Sequence, residues 1–188
     1  GYGALTHNTQ VLNDWAITGW YKDGVVIVDA HRPENLVVVG RYDTWFSDPA
    51  NDHFLGCWGV YSYLPSGTVV ASNYIASWPQ KGEVFVLTPT YRRACYLEGL
   101  VTNVATGWPI NGVEVEIIGN TYSTRLTAFD GVYKTGQHEE GTFLVSIKKN
   151  GYCPDTATVN LIAGQITVLD IALTPCQPVP VSGYVIDD

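Results

Sequence analysis

The sequence predicts an all-β protein, and three observations support this fold class. No window of the 188-residue chain has the 3.6-residue apolar period of an amphipathic helix. Short runs rich in Val, Ile, Thr, Tyr and Trp recur along the chain instead, separated by the turn-forming residues Gly, Pro, Asn and Asp. Because 46% of the residues are hydrophobic and only 15% are charged, these strands can bury a core.

The first half of the chain contains six predicted strands. They cover residues 15–20, 25–29, 36–42, 57–63, 68–73 and 83–88. Residues 16–29 have the pattern strand, turn, strand, and residues 69–87 repeat it about 55 residues later with a longer loop. Such units are typical of propeller blades, but a closed propeller needs about four blades or more. We therefore expect residues 1–93 to form propeller-like blades of an incomplete ring.

The second half differs in composition, since five of the six tryptophans lie before residue 90. Its predicted strands cover residues 96–104, 113–119, 122–128, 131–135, 141–148, 157–162 and 165–173. Alternation of valine with glutamate along residues 113–116 predicts a strand with one buried and one solvent-exposed face. We expect one domain at residues 94–175, followed at 176–188 by a Pro-rich linker and the first strand of a further module.

The charge of the chain limits its partners. It has 10 Lys and Arg against 18 Asp and Glu, a formal net charge of −8. This balance disfavours nucleic acid and anionic membrane surfaces. No apolar run approaches the ~20 residues of a membrane helix. The absence of methionine predicts that the chain is a processed or internal part of a longer protein.

Four widely spaced cysteines indicate an oxidising compartment. They allow three pairings, of which Cys57–Cys95 with Cys153–Cys176 entangles the chain least. Four reduced, buried thiols are the alternative.

Two sequence patterns contain residue types that bind metal ions. Asp48, Asn51 and Asp52 offer oxygen ligands for Ca²⁺, although their spacing is not that of an EF-hand and a turn capped by Asx hydrogen bonds is the commoner explanation. His31 and Glu34 have the HxxE spacing of zinc ligands, but the proline between them favours a solvated turn. We expect no cofactor other than a possible calcium ion.

Two further features suggest assembly rather than catalysis. Trp58, Tyr61 and Trp78 belong to a dense aromatic set that either binds a sugar or protein partner or fills contacts between blades. At the end of the chain lies a short apolar strand, with Val181, Tyr184, Val185 and Ile186, that can pair with a neighbouring chain. The chain has no GxSxG motif and no Gly-rich loop leading into a helix.

The second half resembles the carboxypeptidase regulatory-like domain, a seven-stranded β-sandwich of transthyretin type. The resemblance rests on GLV at 99–101, ATGWPINGVEV at 105–115, TAFDGVY at 127–133, GTF at 141–143, KNGY at 149–152 and VLDIAL at 168–173. It implies a non-catalytic appendage.

The first half resembles the last blades of LVIVD-repeat propellers of choice-of-anchor B proteins. The matching segments are DGVVIVD at 23–29, PEN at 33–35, VVGRYDT at 38–44 and GCWGVYSYLPSG at 56–67. Together the two resemblances imply a secreted surface protein of the Bacteroidetes kind, often exported by the type IX system. We expect a structural or adhesive protein that assembles with protein partners through strand edges and aromatic faces. The alternative is an accessory carbohydrate- or protein-binding module of a larger secreted hydrolase of metallopeptidase type.

Overall fold

The structure is a computed structural model that describes residues 5–45, 55–75 and 81–176. It confirms the all-β class, because the described residues form fifteen strands and a single short 3₁₀ turn. The strands of the first half are β1 (Asn8–Leu12), β2 (Trp15–Gly19), β3 (Val25–Asp29), β4 (Val37–Tyr42), β5 (Gly56–Tyr61), β6 (Val69–Ile75) and β7 (Lys81–Leu87). No helix among the described residues is long and apolar enough to span a membrane.

These seven strands form two open antiparallel sheets. The first sheet has the order β1-β2-β3-β4 and the second the order β5-β6-β7, so each is a simple up-and-down meander. β1 was not among the predicted strands. Gly24 begins the return from β2 to β3 with φ +75°, and a Cβ there would lie 2.1 Å from the carbonyl oxygen of Tyr42. Only glycine fits that turn.

The two sheets pack face to face around a shared core. The core residues of both sheets are Ile17, Val25, Cys57, Val60, Val69 and Ala71. The backbone joins the sheets as well, since the amide of Tyr21 donates to Cys57 O at 3.0 Å and the amide of Cys57 donates to Tyr21 O at 2.8 Å. None of the described sheets closes into a barrel or ring.

A bulge in β5 decides which of its side chains face this core. The register against β6 shifts between Cys57 and Gly59, which places an extra residue in β5. Cys57 and Val60, three residues apart, therefore both point inward, whereas Trp58 and Tyr61 both remain exposed. Without the bulge, residues three apart would point to opposite faces.

The second half is a two-sheet β-sandwich. Its strands are β8 (Cys95–Asn103), β9 (Glu114–Ile117), β10 (Arg125–Leu126), β11 (Val132–Gln137), β12 (Gly141–Lys148), β13 (Asp155–Leu161), β14 (Ile166–Val168) and β15 (Ile171–Leu173). One sheet has the order β10-β9-β12-β13. In the other, β11 and β14 flank β8, and β15 pairs with β8 beyond β14. Because β14 and β15 continue one edge, the sandwich has seven strand positions, as predicted.

One predicted strand of the sandwich is replaced by a turn. Residues 122–128 were expected to be extended, but Thr121–Ser123 form a 3₁₀ turn and only Arg125–Leu126 pair as β10. The Asn120 side chain accepts a hydrogen bond from the amide of Tyr122 at 3.0 Å. The buried Ser123 Oγ donates to the carbonyl of Asn120 at 2.7 Å. These local bonds satisfy the backbone in a turn rather than a strand.

The structure gives one disulfide and two free thiols. Cys153 is joined to Cys176 with a Cα–Cα distance of 5.0 Å, the pairing that the sequence favoured. The predicted Cys57–Cys95 bridge is wrong, since both cysteines are free and buried. They lie in different cores: Cys57 packs between the two N-terminal sheets and Cys95 packs inside the sandwich.

Several predicted site residues lie outside the described residues. They are the calcium candidates Asp48, Asn51 and Asp52, the aromatic residue Trp78, and the assembly strand with Val181, Tyr184, Val185 and Ile186.

Candidate functional site

The most elaborate polar cluster of the described chain lies where the first sheet meets the sandwich. Asp29 ends β3 and its side chain is completely buried. Its carboxylate accepts hydrogen bonds from Arg93 Nη1 at 2.8 Å and from Tyr96 Oη at 2.9 Å. The backbone amides of Ala94 and His31 donate to the same carboxylate at 2.9 and 3.0 Å. One acidic side chain thus holds groups from both halves of the chain.

Arg93 connects this carboxylate to the surface. Its Nη2 donates to Asp14 Oδ2 at 2.6 Å, and its guanidinium lies 4.6 Å from the centre of the Trp15 ring. Burial alone would raise the pKa of Asp29, but the hydrogen bonds from the Ala94 and His31 amides, Tyr96 and Arg93 hold that pKa below its ordinary value. Asp29 is therefore a carboxylate at neutral pH.

A second polar contact docks the turn after β3 on the sandwich. Arg32 Nη2 lies 2.9 Å from Glu98 Oε1, and Asn35 Nδ2 donates to the same oxygen at 3.0 Å. Asn35 is almost fully buried, and its Nδ2 also donates to the carbonyl oxygen of Thr135 at 3.0 Å. The turn keeps His31, Pro33 and Glu34 exposed, as predicted, while Arg32 and Asn35 contact the sandwich.

The HxxE pair in this turn makes contacts other than metal ligation. His31 Nδ1 lies 3.2 Å from Asp14 Oδ2, and Glu34 pairs with Arg32 at 2.8 Å. Within the described ranges there is no group of three or more His, Cys, Asp or Glu side chains arranged to hold a metal ion.

The junction between the halves also has an apolar part. Val37 of β4 packs with Ala94 and Tyr96 in a small core of its own. A Cβ at Gly136 would lie 2.9 Å from Val37 Cγ2, so β4 sits directly against β11. The first sheet therefore covers the edge of the sandwich at β11.

The other candidate surface is the side of the second sheet that faces away from the first. The strand registers place seven side chains on this outer face, namely Trp58, Tyr61, Val70, Ser72, Tyr74, Val84 and Val86. None of the seven is charged. Val84 and Val86 are 70% and 69% exposed, and Trp58 and Tyr61 are 44% and 48% exposed.

Trp58 lies in an aromatic cluster on this face. Its ring centre is 4.3 Å from that of His7 and 5.6 Å from that of Tyr74. Tyr61 contacts Tyr63 edge-on at 5.8 Å. The structure thus brings two of the three predicted aromatic residues to one face, together with His7 and Tyr74.

A groove of about 450 Å³ opens between the two N-terminal sheets beside β7. Its walls from the first sheet include Val25, Ile27 and Tyr42. Its walls from the second sheet include Val69, Val86 and Leu87. Val25 and Val69 also belong to the shared core, so the groove is the open end of the interface between the sheets.

Sequence reasoning missed the Asp29 cluster. The only local signal is an acidic residue at the end of the apolar run VVIVD at 25–29, which resembles an ordinary strand end. Its partners Arg93 and Tyr96 lie 64 and 67 residues further along the chain.

Comparison with known proteins finds a family match within the second half. Residues 96–174 match the family model of the carboxypeptidase regulatory-like domain. This match confirms the resemblance seen in the sequence for that part of the chain, and it gives bounds close to the predicted 94–175. No curated protein matches the chain. No evidence for a propeller or an LVIVD repeat accompanies the match.

Solved structures with some similarity include two bacterial pilins and the Bacillus anthracis TIE protein. The minor pilin GBS52 of Streptococcus agalactiae aligns with 66% of this chain at 14% identity and a TM-score of 0.37. The major pilin subunit BcpA of Bacillus cereus aligns with 60% at 15% identity and a TM-score of 0.33, and the Bacillus anthracis TIE protein with 91% at 11% and 0.38. The alignments span 66%, 40% and 39% of those proteins. Similarity at this level does not extend the role of a pilin to this chain.

Proposed function

We propose that the chain is a non-catalytic structural module of an extracellular or cell-surface protein, in which the N-terminal sheets and the sandwich are held in one fixed orientation. The observation that carries this proposal is the set of three hydrogen bonds that the buried Asp29 accepts across the junction from Arg93, Ala94 and Tyr96. A matched family whose members are non-catalytic appendages supports the same role.

The physical argument concerns orientation rather than net stability. A buried ion pair contributes little net free energy, because desolvation offsets most of the attraction. Its geometry is nevertheless demanding, since any rotation of one half leaves the Asp29 carboxylate or the Asn35 amide buried without partners. The Asp29 and Asn35 contacts therefore select one arrangement of the two halves.

An oxidising compartment is supported by the Cys153–Cys176 disulfide, which persists outside the reducing cytosol. Protein partners are supported by the uncharged outer face of the second sheet. For a protein of this net charge, a neutral patch with two valines near 70% exposure is best explained as an assembly surface.

For the first half we propose that its two sheets are neighbouring blades of a propeller that other strands complete. Support comes from the two antiparallel meanders, of four and three strands, packed face to face. Small-angle scattering and electron microscopy of the full-length precursor test this arrangement, and an isolated two-sheet unit without further blades would contradict it.

The rigid-module proposal is tested by measuring the tumbling of the two halves with backbone ¹⁵N relaxation. We expect one common rotational correlation time for the chain. In Asp29→Ala we expect two separate values, while Asp170→Ala, whose carboxylate bonds only within the sandwich, keeps the common value. Two separate correlation times in the unmodified chain would overturn the proposal. Protease accessibility on intact cells tests the surface location.

A second candidate function is an accessory binding module that contacts carbohydrate. The exposed Trp58 and Tyr61 on one sheet face favour it, because aromatic rings stack on sugar rings. A glycan array with the unmodified chain and with Trp58→Ala tests this candidate. Saturable glycan binding that is lost in a folded Trp58→Ala protein would establish it.

A further inference from the structure

The sequence contains two Asn-Gly dipeptides, Asn111-Gly112 and Asn150-Gly151. Each lies in a turn of the sandwich, and the two glycines have left-handed angles, with φ of +66° and +84°. Both asparagines are exposed, and neither side chain has a hydrogen-bond partner within the part of the chain that the structure describes. The two dipeptides are therefore a matched pair in sequence, exposure and backbone angle.

Asparagine before glycine can lose its side-chain amide without an enzyme, because glycine has no Cβ to hinder attack by its own backbone nitrogen. That nitrogen gives up its proton and bonds to the asparagine Cγ, the Cγ–Nδ2 bond breaks, and the departing nitrogen takes up a proton and leaves as ammonia. Water then opens the cyclic succinimide at one of its two carbonyl carbons. The product is either aspartate or isoaspartate, whose main chain runs through Cγ and is longer by one methylene.

The fold holds the attacking nitrogen of the first dipeptide. The amide of Gly112 donates to the carbonyl oxygen of Thr127 at 2.9 Å, and the next amide, that of Val113, donates to Thr127 Oγ1 at 2.9 Å. Thr127 is itself almost fully buried. The Gly112 amide therefore keeps its proton and its orientation unless the turn opens, and opening breaks these hydrogen bonds.

The attacking nitrogen of the second dipeptide is not held. Residues 149–152 form a β-turn, which the amide of Tyr152 closes by donating to Lys149 O at 3.1 Å. Gly151 is the third residue of this turn, a position whose amide the turn hydrogen bond does not use. The Gly151 amide has no acceptor among the described residues. A Cβ at Gly151 would have no atom within 4 Å, so space around the turn is open.

The surroundings of Asn150 also favour the charged species of the reaction. Asn150 borders a surface hollow of about 270 Å³, whose charged wall residues are Glu114, Lys148 and Lys149. Because two of these three residues are cationic, they favour both the deprotonated backbone nitrogen and the carboxylate that forms. The hollow is also wide enough to admit the water that opens the succinimide.

We propose that Asn150 is a site of spontaneous deamidation, that the fold protects Asn111 from the same reaction, and that the isoaspartate product loosens the segment after β15. This inference goes beyond the structural role proposed above and does not depend on it. The reaction needs only water, and it leaves one additional negative charge on the sandwich.

The loosening follows from what the turn holds. The carbonyl oxygen of Gly151 accepts a hydrogen bond from the amide of Cys176 at 3.0 Å, and Tyr152 forms an isolated bridge with Pro175. An additional methylene just before Gly151 displaces that carbonyl and breaks the bond to Cys176. The disulfide to Cys153 still retains the segment, so the change is local rather than an unfolding of the sandwich.

The test incubates the full 188-residue chain in mildly alkaline buffer, folded in one sample and in guanidinium chloride in another. Peptide mapping by mass spectrometry follows the loss of each amide. In the folded chain Asn150 should react about tenfold or more faster than Asn111, and in denaturant the two rates should become similar, because the unfolded chain holds neither glycine amide. Equal rates in the folded chain, or an Asn150 that reacts only in denaturant, would overturn the proposal.

Two variants separate the steps. Asn150→Gln keeps an uncharged amide but closes the ring far more slowly, so it should remove the fast reaction and leave the slow reaction of Asn111 and the unfolding midpoint unchanged. Freshly purified Asn150→Asp carries the product charge without the additional methylene. Amide exchange of Cys176, measured by NMR, should be parental in Asn150→Asp and faster in the isoaspartyl fraction separated by ion exchange. Parental exchange in that fraction would overturn the proposed loosening.

Discussion

Asp29 differs from the chain's exposed acidic residues because its side chain is wholly buried while remaining ionised. Four donors surround its carboxylate, two from side chains and two from backbone amides. Replacing it leaves Arg93 Nη1 and the Ala94 amide without their anionic acceptor, whereas Arg93 Nη2 keeps its hydrogen bond to Asp14. The residue therefore controls both local stability and the contact between the two halves.

The first prediction concerns the charge of this carboxylate. Asp29→Asn should lower the free energy of unfolding by about 2–4 kcal/mol, since hydrogen bonds to a charged group are each worth about 1.5–3 kcal/mol and the amide retains some of them. Asp14→Asn, which leaves the Asp29–Arg93 pair in place, should have a clearly smaller effect. Urea unfolding measures both, and equal losses in the two variants would contradict the assigned role of Asp29.

The second prediction is a sensitivity to acid. The hydrogen bonds outweigh burial and lower the pKa of Asp29 in the folded state, so its contribution is fully present above the unfolded pKa of about 3.9. That contribution is lost as the pH falls below about 4 toward the folded pKa. The urea midpoint between pH 2.5 and pH 6 should therefore fall more steeply in the unmodified chain than in Asp29→Asn. Asp14, whose pKa is lowered by its hydrogen bond to Arg93, accounts for part of the remaining slope.

At the scale of elements, the turns of this protein constrain single positions strongly. Gly24 and Gly67 have nearly the same backbone angle, with φ of +75° and +76°. Their surroundings differ, because a Cβ at Gly24 would meet the Tyr42 carbonyl oxygen at 2.1 Å while a Cβ at Gly67 has no atom within 4 Å. The pair separates backbone strain from steric conflict.

The third prediction uses this pair. Gly67→Ala should cost about 1 kcal/mol of unfolding free energy, the usual penalty of a left-handed angle for a residue with a Cβ. Gly24→Ala should cost several times more, because the turn between β2 and β3 must open to admit the methyl group. Thermal or urea unfolding of both variants checks the order, and equal costs would mean that the Tyr42 carbonyl moves freely.

At the scale of the whole molecule, the sandwich is constrained in two ways, by a disulfide and by its junction with the first sheet. The Cys153–Cys176 disulfide closes a separation of 23 residues and ties the segment that follows β15 to the loop before β13. The junction ties the same sandwich to the first sheet through Asp29, Asn35 and Val37. The disulfide acts within the sandwich, whereas the junction acts between the halves.

The fourth prediction follows from the disulfide. A bridge over this separation should contribute about 3 kcal/mol by restricting the unfolded chain. Replacing Cys153 and Cys176 by alanine should lower the stability by about that amount and leave the common tumbling of the two halves unchanged. Under denaturing, non-reducing conditions a thiol assay should find two free thiols per chain, Cys57 and Cys95. No free thiol would restore the discarded bridge.

The sequence by itself determined the features that depend on local pattern. Alternating apolar residues with turn formers indicate the all-β class, and the Val and Glu alternation at 113–116 indicates a sandwich face. The Cys153–Cys176 pairing was also within reach, because the two cysteines lie close together in sequence at one end of a single domain. These signals involve residues that are close in sequence, so they can be recognised without the tertiary structure.

Only the tertiary structure decided the features that join distant residues. Cys57 and Cys95 belong to separate cores, which no count of cysteines reveals. Asp29 meets Arg93 and Tyr96 only after the first sheet packs on the sandwich, and the groove beside β7 forms only where the two N-terminal sheets come together. In each case the deciding free energy comes from burial of groups brought together by folding, and such burial has no signature in the order of the residues.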